Sequence, residues 1–335
     1  MNLITQRILI SGAAGSIGSV LTKTFLRMGA QVCAFDNSEN GLFSLGQIHS
    51  EQVKTNKLKL FFGDIRDYNR LNNACANVDV IIHTAALKHV ELSEYNVFDC
   101  VETNINGVKN IVSAAISNNV SKVLFTSSDK AVNPTSTMGT TKLLGEKIIT
   151  AANGIVGARD IKFSSVRFGN VINSSGSIFG IFQKCKNENK PFPITHEDMS
   201  RFFITLKEAV KLILFSLEHM TGGEIFVKSM GAASIKTVAR AIAGKEDITY
   251  YIIGLKKGEK LFEELITTTE AKRAFKCKGH FIICPDLLQN FEISKVKSII
   301  DSEKSIDVAL QSKTKELDWR ELKTMIATGD NELFN

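Results

Sequence analysis

Six short apolar runs, with a helical pattern fitting between successive ones, constrain the fold of this chain more than any other feature. They are Arg7–Ile10, Gln31–Phe35, Leu58–Phe62, Val78–His83, Val123–Thr126 and Lys162–Arg167. Strand-length runs alternating with longer helical patterns predict repeated βαβ units, and so an α/β fold of the doubly wound Rossmann type, a parallel sheet with helices on both faces. After Phe168 the alternation loosens into a polar, Gly/Ser-rich stretch, Gly169–Gly180, followed by Pro191 and Pro193. Such a stretch marks a change of domain.

The organisation expected is a dinucleotide-binding Rossmann domain over residues 1–169, completed by about 201–228. A smaller, mixed α/β substrate-binding region would take 170–200 and 229–335. Helices are expected over Lys207–His219, over Ser234–Ala243 with Ser234 as N-cap, and over Glu259–Thr267, with strands at Glu224–Lys228 and Thr249–Ile253. The segment from about Ser302 to Asn335 is charged and weakly patterned; Trp319 and Leu322 would dock it as a short helix, with a frayed tip after Gly329.

Composition narrows the class. At 335 residues, 44% hydrophobic and 23% charged, the chain reads as an ordinary globular protein. Its net charge of +6 is spread without any long run of one sign, which suits an anionic small ligand and argues against nucleic acid. No window approaches the ~20 apolar residues of a membrane span, and the first residues are too polar for a signal peptide, so the expectation is a cytoplasmic protein with no membrane contact. The six Cys lie far apart with no C-x-x-C pair, so neither a metal site nor a disulfide framework is expected.

Gly12-Ala13-Ala14-Gly15-Ser16-Ile17-Gly18 follows the first strand directly and opens the first helix. Gly12 permits a tight turn, Gly15 lets the backbone approach a pyrophosphate, and Gly18 lets helix pack closely on strand. The anion then meets the helix N-terminus, and Ala14, Ser16 and Ile17 belong to the same cradle. Asp36 closes the second strand, near the spacing of an acid that takes ribose hydroxyls. A carboxylate there would repel a 2′-phosphate and no Arg follows nearby, which favours NAD over NADP. Asp64 and Ile65, after the third strand, would flank the adenine. Ala85, Ala86 and Leu87, after the fourth, would line the pyrophosphate and nicotinamide ribose.

At the end of the fifth strand stands Ser127-Ser128-Asp129-Lys130, and Met138 and Lys142 share the helix that follows. With these residues in place the chain resembles the extended short-chain dehydrogenase/reductase superfamily, and within it the nucleotide-sugar 4,6-dehydratases acting on N-acetylglucosamine. The resemblance covers nearly the whole chain. Its marks are His83-Thr84-Ala85-Ala86-Leu87-Lys88-His89, Thr103-Asn104, Ser128 through Pro134, Met138-x-x-x-Lys142, Arg167 through Val171, Met199 through Phe202, and Gly258-Glu259-Lys260-Leu261.

The resemblance implies three steps in one pocket. Hydride passes from C4 of the sugar to NAD, which makes a ketone and acidifies the C5 proton. A base removes that proton while an acid protonates the leaving C6 hydroxyl, and the hydride returns to C6. Asp129 would be the acid and Lys130 the base, with the Asp pKa raised and the Lys pKa lowered toward neutrality. The plain alternative is a solvated Asp-Lys pair capping the next turn. Lys142 would hold the nicotinamide ribose, supported by Asn104 and by Ser127 or Ser128.

Related dehydrogenases carry a Tyr four residues before that Lys; here the position is Met138, whose thioether cannot take a proton. The resemblance includes members with Met there, so the first proton is expected to go to Asp129, Lys130 or a water. On the substrate side Lys88 and Asn170 would touch the sugar or its phosphates, and Arg201 would grip the diphosphate bidentately. Glu259 would hold the nucleoside ribose. Lys256-Lys257 stand where Arg-Pro is usual, a point charge in place of a fork. Ser174-Ser175-Gly176-Ser177 replaces a Ser-Arg-Gly-Ser loop, and with the previous change it leaves UDP favoured and GDP open.

The expected activity is thus dehydration of a nucleotide-activated N-acetylglucosamine with retention at C5, early in making a bacterial surface sugar, by a soluble homo-oligomer. Inversion at C5 is the alternative; a 4-epimerase, or a non-catalytic NAD-binding regulator, are the further ones.

Overall fold

The computed structural model describes residues 5–286 and, beyond them, 296, 299–301, 305–306, 308–313 and 316–331. The six apolar runs form strands β1 (Arg7–Ser11), β2 (Gln31–Asp36), β3 (Leu58–Phe62), β4 (Val80–His83), β5 (Lys122–Thr126) and β6 (Lys162–Arg167). Past the Gly/Ser-rich stretch come β7 (Asn170–Val171), β8 (Phe192–Ile194), β9 (Ser200–Ile204), β10 (Ile225–Lys228), β11 (Gly231–Ser234), β12 (Tyr250–Ile252), β13 (Glu264–Ile266), β14 (Ala274–Cys277), β15 (His280–Ile283) and β16 (Leu310–Gln311).

The main sheet runs β14-β15-β10-β6-β5-β4-β1-β2-β3. From β3 to β10 its pairings are parallel, and β15 and β14 close one edge antiparallel. This is the doubly wound α/β arrangement expected of the alternation, in which the order reverses beside β1 and opens a crevice at the strands' C-terminal ends.

Alternate residues of each strand enter different cores. Ile8, Ile10, Val32, Ala34, Val80, Ile82 and Leu124 pack on one face. Leu9, Cys33, Phe35, Ile81, Val123 and Phe125 pack on the other. Burial on both faces is what gives these strands their uninterrupted apolar character. A third core gathers Phe179, Phe182, Phe192, Val238 and Leu322 beside the small sheets. Leu322 lies on a helix, Trp319–Asn331, so that residue docks as anticipated, while the terminal residues 332–335 lie outside the described residues.

Ser234 caps the helix Ile235–Ala243, accepting from Thr237 N at 3.0 Å. The helix expected over Glu259–Thr267 does not form. The chain there turns after Lys256 and enters β13, which pairs with β16, and a helix begins only beyond Thr267 as N-cap. Ser200 N donates to Leu261 O at 2.9 Å, so contacts with β9 override the local helical pattern.

All six Cys are free thiols, five of them buried. No helix of the described residues is long and apolar enough to cross a membrane. Among the described residues no cluster of His, Cys, Asp and Glu is arranged to hold a metal ion.

Candidate active site

A cleft of about 1490 Å³ follows the C-terminal ends of the parallel strands, lined by the loops after β1 to β5 and by the segment after β7. At its floor Gly12 takes φ +71°, and a Cβ there would press on the backbone of Ala85. A Cβ on Gly18 would overlap the Gly12 carbonyl, so both positions are closed to larger residues. Helix Ser16–Arg27 starts at this loop with Gly15 as N-cap and no side chain capping it, which leaves backbone N–H groups available to an anion.

Asp36 ends β2 in the cleft wall, where Oδ2 accepts from Ala14 N at 2.9 Å and Oδ1 from Ser38 N at 2.8 Å. The acid therefore braces the glycine loop while lining the cleft. Asp64 is forked by Arg66 at 3.0 and 2.7 Å, and that hydrogen bonding holds its carboxyl below the usual range. Ile65, Ala85, Ala86 and Leu87 complete this wall. An open helix terminus between glycines, followed by an acid at the end of β2, fits a dinucleotide, and the residues of this half would hold NAD.

Asn104 stands behind the wall, 2% exposed, on a π-helical turn, Glu102–Asn106. Its Oδ1 accepts from Leu87 N at 2.9 Å, and its Nδ2 donates to Leu87 O at 3.0 Å and to Thr141 Oγ1 at 3.0 Å. The amide is spent on fixing Leu87, so it supports the cofactor wall from behind and does not line the cleft.

Helix Thr137–Ala152 brings Met138 and Lys142 to the cleft, both buried. Lys142 Nζ donates to Thr126 O at 2.9 Å and lies 4.7 Å from the centre of the Phe125 ring. Burial pushes its amine down to about 8. The same helix packs on the turn Asp129–Ala131, and a Cβ on Gly139 would strike the Lys130 carbonyl.

Asp129 is fully buried. Its Oδ1 accepts from Ser128 Oγ at 2.9 Å and from Lys130 Nζ at 3.0 Å, while Oδ2 has no partner. Burial raises its pKa, with Glu263 adding to the rise and Lys130 opposing it. Ser127, with a buried and unpartnered hydroxyl, lies alongside.

Lys130 corrects an expectation. Burial alone would lower its pKa, but Asp129 and Glu263 outweigh burial and the net shift is upward, so in this state it is held as an ammonium. Its Nζ donates to Asn170 Oδ1 at 3.2 Å and is 3.5 Å from Glu263 Oε1.

Glu263 is the site residue that sequence reasoning missed. Read within a helix over 259–267, it would have shared a face with Glu259. The only signal was its place three residues after Lys260, just beyond the Gly258–Leu261 motif.

On the sugar side Arg201 is buried, with Nη1 donating to Ser200 O at 2.8 Å and Leu261 O at 3.2 Å. It is no surface ion pair, and it lines both the cleft and a smaller chamber of about 110 Å³ beside Lys130. Glu259 accepts from Lys256 N at 3.2 Å, and Lys256 Nζ reaches Glu91 at 3.0 Å near the surface. Lys88 Nζ donates to Ser175 O at 2.6 Å, and Ser175 N donates to Ser16 Oγ at 3.0 Å. The loop Ser174–Ser177 thus straps the sugar side of the cleft to the glycine loop.

The sequence matches a family described as polysaccharide biosynthesis protein over residues 8–285. It is 37% identical over 285 residues, 84% of either chain, to a UDP-N-acetylglucosamine 4,6-dehydratase (inverting) of Campylobacter jejuni. It is 31% identical over 338 residues, 98% of this chain and 97% of the other, to a UDP-glucose 4-epimerase of Rickettsia rickettsii. Among solved structures, Pen from Bacillus thuringiensis superposes with a TM-score of 0.90 at 35% identity, covering 98% of this chain and 99% of that one. The extended short-chain dehydrogenase resemblance, its glycine loop and its Asp-Lys pair are thereby joined to one lineage: this chain belongs to the polysaccharide biosynthesis protein family.

Proposed function

We propose that this protein catalyses the NAD-dependent 4,6-dehydration of a nucleotide-activated N-acetylglucosamine, with UDP favoured as the nucleotide and GDP the alternative. The observation that carries the reading is the Asp129–Lys130 pair, 3.0 Å apart, in which Lys130 lines a cleft where the usual phenol is replaced by Met138 and Asp129 is buried directly behind it. When bound, NAD accepts hydride from C4 of the sugar and returns it at C6.

The chain's own residues supply the rest. Asp129, whose pKa burial raises, protonates the leaving C6 hydroxyl. Lys130, once it has passed its own proton to Asp129, takes the proton from C5, and Lys142 orients the ribose half of the cofactor. Arg201 and Lys88 suit the diphosphate, Asn170 the sugar, and Glu259 with Lys256 the nucleoside. These sugar-side groups come mainly from 170–200 and 229–335, which we assign as the substrate-binding region.

A 4-epimerase is named among the relatives, but epimerisation has no use for an acid and base at C5 and C6 and needs a base at position 138. Retention at C5 rests on Met138 together with Asp36. Inversion is the second reading, supported by the name of the Campylobacter relative. Incubation with UDP-N-acetylglucosamine, then with the GDP sugar, followed by mass spectrometry, is expected to show loss of one water from one of them. Loss from neither sinks the dehydratase reading and leaves a non-catalytic NAD-binding protein. Product NMR after reaction in heavy water distinguishes the two outcomes at C5.

The resemblance also implies a homo-oligomer. Leu92, Tyr95, Phe98 and Leu144 are exposed apolar side chains that a second copy would cover. Sedimentation velocity is expected to give a mass above one chain of 36.9 kDa, and a single-chain mass refutes it.

A further inference from the structure

We infer that Glu263 is a positioning residue for Lys130, a buried carboxylate that makes this amine a stronger base and holds its ammonium once the C5 proton has been taken. The chemistry assigned to that proton rests on the dehydratase reading; the pairing itself stands on geometry. Glu263 is 2% exposed, with Oε1 3.5 Å from Lys130 Nζ and 3.9 Å from Arg201 Nε, and Oε2 3.3 Å from Lys260 Nζ. Its backbone N donates to Ser312 Oγ at 3.0 Å, which fixes the segment from behind.

A simpler role would be to neutralise Arg201 and Lys260. Both already have carbonyl partners: Lys260 Nζ donates to Val132 O at 2.7 Å, and Arg201 to Ser200 O and Leu261 O. Among the described residues Lys130 has no backbone carbonyl partner, only the side-chain oxygens of Asp129 and Asn170. Its side-chain neighbours are Asp129, Asn170 and Glu263, with Arg201 as the nearby cation. Asp129 cannot be both the acid of the reaction and the permanent counter-ion of Lys130. A second carboxylate is what lets Asp129 carry a proton while the ammonium stays paired.

The proton balance follows. Passage of one proton from Lys130 to Asp129 gives amine and carboxylic acid. The C5–H bond then breaks and an N–H bond forms on Lys130. The electron pair left at C5 becomes the C5–C6 double bond as the C6–O bond breaks, and Asp129 gives its proton to the departing hydroxyl. Lys130 is then ammonium beside Glu263 and Asp129 carboxylate; return of hydride to C6 leaves C5 to take a proton back from Lys130, and the proton released by the C4 hydroxyl restores the pair.

The test is the pH dependence of Lys130 acetylation by acetic anhydride, read by peptide mass spectrometry in the wild type and in Glu263→Gln. Loss of an opposite charge at this range is expected to lower the midpoint by about one unit or more. The acid limb of kcat should fall by a similar amount, with the plateau reduced roughly tenfold or more as the base weakens and KM little changed. Glu263→Asp should recover part of both shifts. If Glu263→Gln alone fails to fold, Glu263→Gln with Lys260→Met removes one charge of each sign and serves in its place. An unmoved labelling midpoint in a folded variant overturns the inference. A moved midpoint in a protein that dehydrates neither sugar leaves the pairing standing and removes only the reaction assigned to it.

Discussion

Lys142 sits where burial pushes its amine down to about 8 from an ordinary 10.5, so the folded chain binds that proton less tightly than the unfolded one. Between these two values the unfolded chain keeps a proton that the folded chain has released, and stability therefore rises with pH across that window, by about 1.4 kcal/mol per unit from this group. Below pH 8 the full cost of burying the ammonium is present. Urea unfolding of the cofactor-free protein at pH 8 and pH 10 is expected to show the rise, and Lys142→Met should flatten it. A slope unchanged in the variant would assign the effect to other lysines. Among single residues, the grouping of Asp129, Lys130 and Lys142 after β5 could be read because they are close in sequence and follow one strand. Glu263 was not, because its partners Lys130 and Arg201 come from distant segments and only folding brings them together.

Helix Thr137–Ala152 is held to β6 by Arg167, which is 1% exposed. The guanidinium forks to Glu146 at 3.0 and 2.7 Å and to Glu270 at 3.1 and 2.9 Å, and also donates to Leu265 O at 2.8 Å. One side chain thus ties the helix bearing Met138 and Lys142 to the segment that follows Glu263. Arg167→Met would take the paired guanidinium from the buried Glu146 and the half-buried Glu270, and is expected to cost about 3–5 kcal/mol in equilibrium unfolding. Addition of Glu146→Gln should recover part of that loss; no recovery would mean that packing, not charge, dominates. The six parallel strands could be read from sequence since their apolar runs are bounded on both sides. The stretch 259–267 could not, since its helical spacing of charged and apolar residues is met by contacts to β9 and β16 instead of by a helix face.

Taken whole, the cleft runs from the glycine loop of the main sheet toward the small sheets, and the strap Ser174–Ser177 is bonded to both Ser16 and Lys88 along it. The strap's order was visible in sequence only as a loop of small residues; that Ser175 would touch both Ser16 and Lys88 depended on the closure of the entire chain. Its bonds to Lys88 and Ser16 tie two sides of the cleft together beside the glycine loop. A redox carrier restored at the end of each cycle has no need to exchange, and a loop fastened over the glycine turn in this way would slow its exchange. Such an enzyme would be insulated from the cell's NAD pool, turning over at a rate set by sugar alone. The purified protein is accordingly expected to show nucleotide absorbance at one equivalent per chain and to need no added NAD, whereas Ser16→Ala with Lys88→Ala should strip on dilution and become dependent on supply. A wild-type protein that emerges free of nucleotide and follows external NAD would show that the fastening does not govern residence.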